Sequence, residues 1–278
     1  LRNGRNYPAA QLDFAWKQFL WHQFHDDITG TSAGDVYQIS NNDLALALNL
    51  FASELKGGVA SIASSMNTEG EGTPILVYNP IADRRRDVVT VELARPIDSV
   101  RVFAPNGKEV PAQISRIDGR PTIRFVANTA PVSFGIYRLV EGQGSCQLDS
   151  SLVRTKTGIE NARYRVALNE TGDIASIYDK VEEKELLSSP AVLEIFPDGS
   201  TEWPSWELHW EDYSETPVCL TEVTSLSVEE EGPAVLTLRV ERKHNASVFV
   251  QKIRLFEGGE RVDVENEVHW EEKASMLL

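Results

Sequence analysis

The sequence predicts an α+β protein, with an N-terminal antiparallel helical hairpin followed by mainly antiparallel β-sandwich domains. Three observations carry this. Apolar residues recur at helical spacing up to about residue 66. A polar, glycine-containing segment, Asn67-Thr-Glu-Gly-Glu-Gly-Thr73, then interrupts the chain. Beyond it, apolar residues come in short β-branched runs divided by turn signals. The expected organisation is a helical hairpin over residues 1–68, a small β-sandwich over 74–142, and the N-terminal part of a larger β structure over 146–278, with Gly142-Gln-Gly-Ser145 as the joint.

The first helix begins at Pro8, a residue suited to the first helical position. Leu12, Trp16, Phe19 and Gln23 then share one side, with Ala15 and Leu20 beside them. An end near Asp26 is expected, because Ile28-Thr-Gly-Thr31 is β-branched and contains glycine. The second helix opens with Ser32-Ala-Gly-Asp35, the spacing of a capping box. Its stripe is Val36, Ile39, Leu46 and Leu50, widened by Leu44, Leu48, Phe51 and Leu55. Gly57-Gly58 either stops it or is passed on the way to Met66. In the small sandwich, strands are expected over 75–78, 88–93, 100–103, 123–126 and 134–140. A hairpin over 164–168 and 174–178 turns at Asn169-Glu-Thr-Gly172. Longer strands follow at 191–196, 235–241, 247–255 and 261–270. The chain stops at Leu277-Leu278 directly after a strand. A sheet cut there would leave an open edge, and homo-oligomers are one expected outcome.

A formal net charge of -15 argues against nucleic acid or an anionic membrane as partner, since both require clustered Lys and Arg. Arg84-Arg85-Arg86 is the one dense basic run, and it reads as a strand-edge or turn feature. No apolar run reaches the ~18 residues of a membrane span. Cys146 and Cys219 fit no metal spacing and no dense disulfide framework; separate thiols are the default expectation, with a single disulfide the alternative. Residues 1–6 lack an initiating Met and the apolar core of a signal peptide, so the start is expected upstream and the compartment stays open.

Chemistry concentrates in Trp21-His-Gln-Phe-His-Asp-Asp-Ile-Thr-Gly-Thr31, which places imidazole and two carboxylates at an expected helix end. Neutral imidazole is a common zinc ligand, and carboxylates complete such sites or accept hydrogen bonds from sugar hydroxyls. The same pattern also suits a histidine favoured by the helix dipole, or His22 and His25 as plain surface residues. Spacing alone leaves these alternatives open. His209, His244 and His269 are scattered and form no second cluster. Trp203, Trp206 and Trp210 suit either a sugar-stacking platform or packing over the sandwich, the latter being the preferred expectation. Glu202, Glu207, Glu211 and Asp212 are expected to form a solvated face.

Gln23-Phe-His-Asp-Asp-Ile-Thr-Gly-Thr31 resembles the His-Asp signature of glycoside hydrolase family 38, the retaining α-mannosidases. The resemblance extends to Tyr7-Pro8, Ala15-Trp16-Lys17 and Asp35-Val-Tyr37. It continues through Leu76-Val-Tyr-Asn-Pro80, Arg86-Asp-Val-Val89, Gly172-Asp-Ile-Ala-Ser-Ile-Tyr-Asp-Lys180, Trp203-Pro-Ser-Trp-Glu-Leu208, Arg261-Val-Asp-Val264 and Val268-His-Trp-Glu-Glu272. The resemblance implies that residues 146–278 begin a large supersandwich of galactose-mutarotase-like type. It implies that His25 is one ligand of an active-site zinc and that Asp26 contacts the bound sugar. The other ligands, the nucleophile and the acid–base carboxylate would lie on an N-terminal catalytic barrel of the same protein, so no catalytic residue is expected in this chain. The implied activity is retaining hydrolysis of terminal α-mannosyl residues of glycans, with zinc holding sugar hydroxyls. The isolated chain is expected to bind zinc weakly, if at all, and to be inactive. Phe24 and Asp27 depart from the family's usual residues. The alternative expectations are an independent carbohydrate-binding β module without catalysis, and a scaffold without ligand.

Overall fold

The computed structural model describes residues 6–200, 202, 203, 206, 207 and 209–278, in two compact units: residues 1–68 with 199–210, and residues 69–198 with 211–278. The expectations placed on residues 1–5, and on Pro204, Ser205 and Leu208, lie outside the described residues. Helices plus mostly antiparallel strands confirm the α+β class. No described helix is long and apolar enough to cross a membrane.

The helical unit contains α1 (Ala9–Trp21), α2 (His25–Ile28) and α3 (Gly34–Ala63). α1 ends before the expected Asp26. The Gln23 and Phe24 amides fall back on the Leu20 and Trp21 carbonyls at 3.1 and 3.2 Å, three-residue bonds that close the helix. Phe24 then adopts φ -56° and ψ 140°, and α2 restarts at His25. His25 and Asp26 therefore open a short helix instead of ending a long one. The expected capping box does not form either. Ala33 is the N-cap of α3 and makes no side-chain cap bond, while the Ser32 amide donates to the Tyr37 hydroxyl at 2.8 Å. α3 passes through both glycines to Ala63. Each costs roughly 1 kcal/mol against Ala, which a 30-residue helix absorbs.

α1 and α3 run antiparallel: the Trp16 ring meets Phe51 at 5.1 Å, and His22 one helix end later meets Asp43. Their seam is not the expected apolar stripe. Ala15 and Ala47 are fully buried, with His22 and Ser40 beside them, whereas Trp16, Val36, Ile39 and Leu46 stay exposed. Small residues buried at the seam let the backbones approach and leave the larger side chains on the flanks.

The β unit opens with β1 (Thr73–Asn79), β2 (Arg85–Glu92), β3 (Val100–Phe103), β4 (Glu109–Val110), β5 (Ala112–Ile117), β6 (Arg120–Thr129) and β7 (Ser133–Glu141). They form two antiparallel sheets, ordered β1-β7-β3-β4 and β2-β6-β5. Val102, Tyr137 and Leu139 of one pack on Ile123, Phe125 and Ala112 of the other, the alternate-residue core of a sandwich. Tyr137 places its hydroxyl on the Asn128 backbone, satisfying the one polar atom it buries.

Next come β8 (Val153–Arg154), β9 (Gly158–Glu160), β10 (Tyr164–Leu168), β11 (Ile174–Asp179) and β12 (Lys184–Glu185), a sheet ordered β12-β11-β10-β9-β8. Then follow β13 (Glu194–Pro197), β14 (Val218–Cys219), β15 (Val223–Glu231), β16 (Val235–His244), β17 (Ser247–Phe256), β18 (Asp263–His269) and β19 (Ser275–Leu277). Their sheets are β14-β13-β19 and β15-β16-β17-β18. The second core joins Ile159, Val166 and Ile174 to Leu236, Val240, Ile253 and Leu255.

The β10–β11 turn is fixed chemically. The Asn169 side-chain oxygen accepts the Thr171 and Asp173 amides at 3.0 and 2.9 Å. Gly172 sits at φ +74°, where a Cβ would come within 2.7 Å of Val240. Arg242, fully buried, bonds Asp173 at 3.0 Å and the Thr171 carbonyl at 3.1 Å. The two sandwiches are joined by Gln113, whose side-chain oxygen accepts the Ala234 and Val235 amides, and by the Arg124–Glu230 ion pair at 2.5 Å. Val126, Ala234, Val235 and Phe256 form an apolar seam beside them. Cys146 and Cys219 are free thiols.

Candidate functional site

The loop from Trp21 to Tyr37 is held by its own polar groups. The Thr31 and Ser32 amides both donate to the Asp26 carbonyl, at 3.0 and 2.9 Å. The Tyr37 hydroxyl donates to the same carbonyl at 3.3 Å, and the Thr29 hydroxyl donates to the His25 carbonyl. Thr31 also reaches the Asp26 carboxylate at 3.3 Å. These bonds fix the backbone at 25 and 26, leaving the His25 side chain outward and the Asp26 side chain partly exposed. The His25 ring is 72% exposed, lies 4.2 Å from the Phe24 ring, and has its Nε2 3.5 Å from the Asp26 carboxylate.

His22, read above as a possible surface residue, is buried. Its Nδ1 meets Asp27 at 2.5 Å and its Nε2 meets Asp43 at 3.2 Å. The Ser40 hydroxyl lies 2.9 Å from both Asp27 oxygens. Burial lowers the His22 pKa, but the hydrogen bonds to Asp27 and Asp43 outweigh it, and the value is raised above 6.5. The His22 hydrogen bond holds the Asp27 carboxyl below its usual range, against burial. Asp27 is thus the clamp joining α1, α2 and α3. The spacing carried one signal for this: His22 lies two turns after Ala15, on the buried face of α1.

Among the described residues no three His, Cys, Asp or Glu side chains are placed to hold a metal ion. His22 has both nitrogens occupied by carboxylates on opposite sides of the ring. The donor set fits one ligand position of a zinc site, at His25, and does not fit a complete site. His209 and His269 pair with nearby Glu207 and Glu271, far from His25 in sequence and not joined to it. Of the expected solvated face, Glu202, Glu207 and Glu211 are exposed and Asp212 is half-buried. Trp203, Trp206 and Trp210 are exposed as well, against the expectation that they pack.

A family model described as the alpha mannosidase middle domain matches residues 1–60, and one described as the glycosyl hydrolases family 38 C-terminal domain matches residues 159–278. Alpha-mannosidase 2C1 of Mus musculus is 26% identical over 292 residues, 98% of this chain and 24% of that protein. Alpha-mannosidase 2C1 of Homo sapiens is 25% identical over 291 residues, with the same coverage of 98% and 24%. The chain spans about a quarter of the length of these curated relatives. Two family models in the expected order, with His25 and Asp26 inside the first, place this chain in glycosyl hydrolase family 38, the α-mannosidase family.

Proposed function

We propose that this chain is the middle and C-terminal part of a retaining, zinc-dependent α-mannosidase that hydrolyses terminal α-mannosyl residues of glycans. In this reading His25 gives one ligand to the zinc and Asp26 orients the sugar through its carboxylate. A catalytic barrel of the same protein supplies the remaining ligands, the nucleophile and the acid–base carboxylate. The observation that carries the reading is the outward presentation of His25, beside a partly exposed Asp26 carboxylate, on a backbone whose two carbonyls accept hydrogen bonds from Thr29, Thr31, Ser32 and Tyr37. An imidazole serving only the hairpin would be turned inward, as His22 is.

A second observation supports a partner surface at this place. Phe24 lies against the His25 ring, Trp21 and Ile28 flank it in sequence, and the three are 56%, 76% and 60% exposed. Clustered apolar exposure of this kind marks a surface that another surface covers. The domain division proposed is a helical region over 1–68, a small sandwich over 74–142 and the start of a supersandwich over 146–278. The test is hydrolysis of an aryl α-mannoside by the 278-residue chain and by a longer protein that includes it. The longer protein is expected to turn over with retention and the chain to be inert. Turnover by the pure chain, or none by the longer protein, contradicts the proposal.

A further inference from the structure

We propose that the cleft framed by Arg84, Arg85, Arg86 and Arg261 binds a tetrahedral oxyanion, a phosphate or sulfate, either free or as an ester on a sugar. The cleft, of about 470 Å³, lies within the β unit between the residues opening β2 and the turn from β17 to β18. Its lining holds four guanidinium groups against two carboxylates, Asp87 and Glu260, and Asp263 paired with Arg261 adds a third, which leaves an excess of one positive charge in a chain of net -15. Guanidinium groups held this close repel one another, and a bound anion offsets that repulsion.

Three of the arginines are anchored. Arg85 donates to Asp87 at 2.8 Å. Arg261 donates to Asp87 at 2.9 Å and to Asp263 at 2.6 Å, with its guanidinium 5.2 Å above the Phe256 ring. Those bonds raise the Arg261 pKa further, so it stays charged at every accessible pH. Arg84 donates to the Asn128 side chain at 3.3 Å. Arg86 is different: its side chain makes no hydrogen bond or ion pair among the described residues, and its guanidinium lies against Gly258. A Cβ at Gly258, which sits at φ +63°, would come within 2.2 Å of the Arg86 Cζ. The turn that carries this glycine is fixed from below, because buried Asn161 donates to the Phe256 and Gly259 carbonyls, both at 3.1 Å. The geometry thus keeps an unspent guanidinium fork beside fixed positive neighbours. A planar fork matches two oxygens of a tetrahedral anion, and the anion's charge offsets the local positive excess. An uncharged sugar would leave that excess standing. This site is independent of the reading of His25.

The test is calorimetric titration of the 278-residue chain at low ionic strength with inorganic phosphate, a hexose 6-phosphate and the unmodified hexose. Saturable phosphate binding that weakens with added salt is expected. Arg86→Gln and Arg84→Gln should each weaken it at least tenfold, Arg86→Lys less, and Arg154→Gln on exposed β8 not at all. Tighter binding of the hexose phosphate than of phosphate identifies an ester ligand, and equal binding identifies the free anion. Arg84 and Arg86 are exposed, so both variants should melt with the wild type. Absence of saturable binding, or binding unchanged in both variants, overturns the proposal.

Discussion

At position 22 an imidazole shut between two carboxylates fixes the loop that presents His25. Its raised pKa makes this a pH-dependent contribution with a definite sign. A histidine whose folded value exceeds 6.5 gives its full stabilisation below about pH 6.5 and loses it as pH climbs through the raised folded value. The facing titratable groups are Asp27 from α2 and Asp43 from α3, both acceptors for the charged ring. Urea unfolding followed by the helical signal should therefore show stability falling as pH rises above about 6.5. His22→Gln should lose about 1–3 kcal/mol below pH 6.5 and flatten that slope. An unchanged slope in the variant would assign the dependence elsewhere. His25 drew attention in the sequence because a nine-residue signature carries it. The pairing of His22 was not legible, because its partner Asp43 lies on another helix and no local pattern links the two.

Among elements, the β10–β11 hairpin was legible residue by residue, since alternation and the Asn-to-Gly turn are local signals. What locks it was not. Arg242 comes from β16 and is sealed against Asp173 with no exposure of its own. Removing one partner of a buried pair strands the other charge, so Arg242→Ala should cost about 3–5 kcal/mol in denaturant unfolding. A loss below about 1 kcal/mol would show that the site takes in water. β15 was missed because its composition, Val-Thr-Ser-Leu-Ser-Val-Glu-Glu-Glu, is that of an edge strand with one wet face. The early end of α1 was missed for another reason: three-residue hydrogen bonds after Trp21 closed a helix whose apolar spacing still continued.

For the whole molecule, the fold class followed from periodicity alone, but the joining of the two sandwiches did not. Gln113 and Arg124 on the first find their partners near residues 230–235, a pairing that composition does not encode. The exposed apolar residues flanking His25 in sequence, together with the exposed edge strand β18, predict that the isolated chain self-associates. Light scattering should show mass above the monomer that rises with concentration, and Trp21→Ser should reduce it. A concentration-independent monomer would speak against a surface awaiting cover. The central claim, that His25 is a metal ligand of a site completed by the rest of the protein, is tested most directly by zinc content. The longer protein should hold one tightly bound zinc per molecule after dialysis, and His25→Ala should lose most of it while melting of the β unit is unchanged. Full zinc retention in His25→Ala would contradict the account.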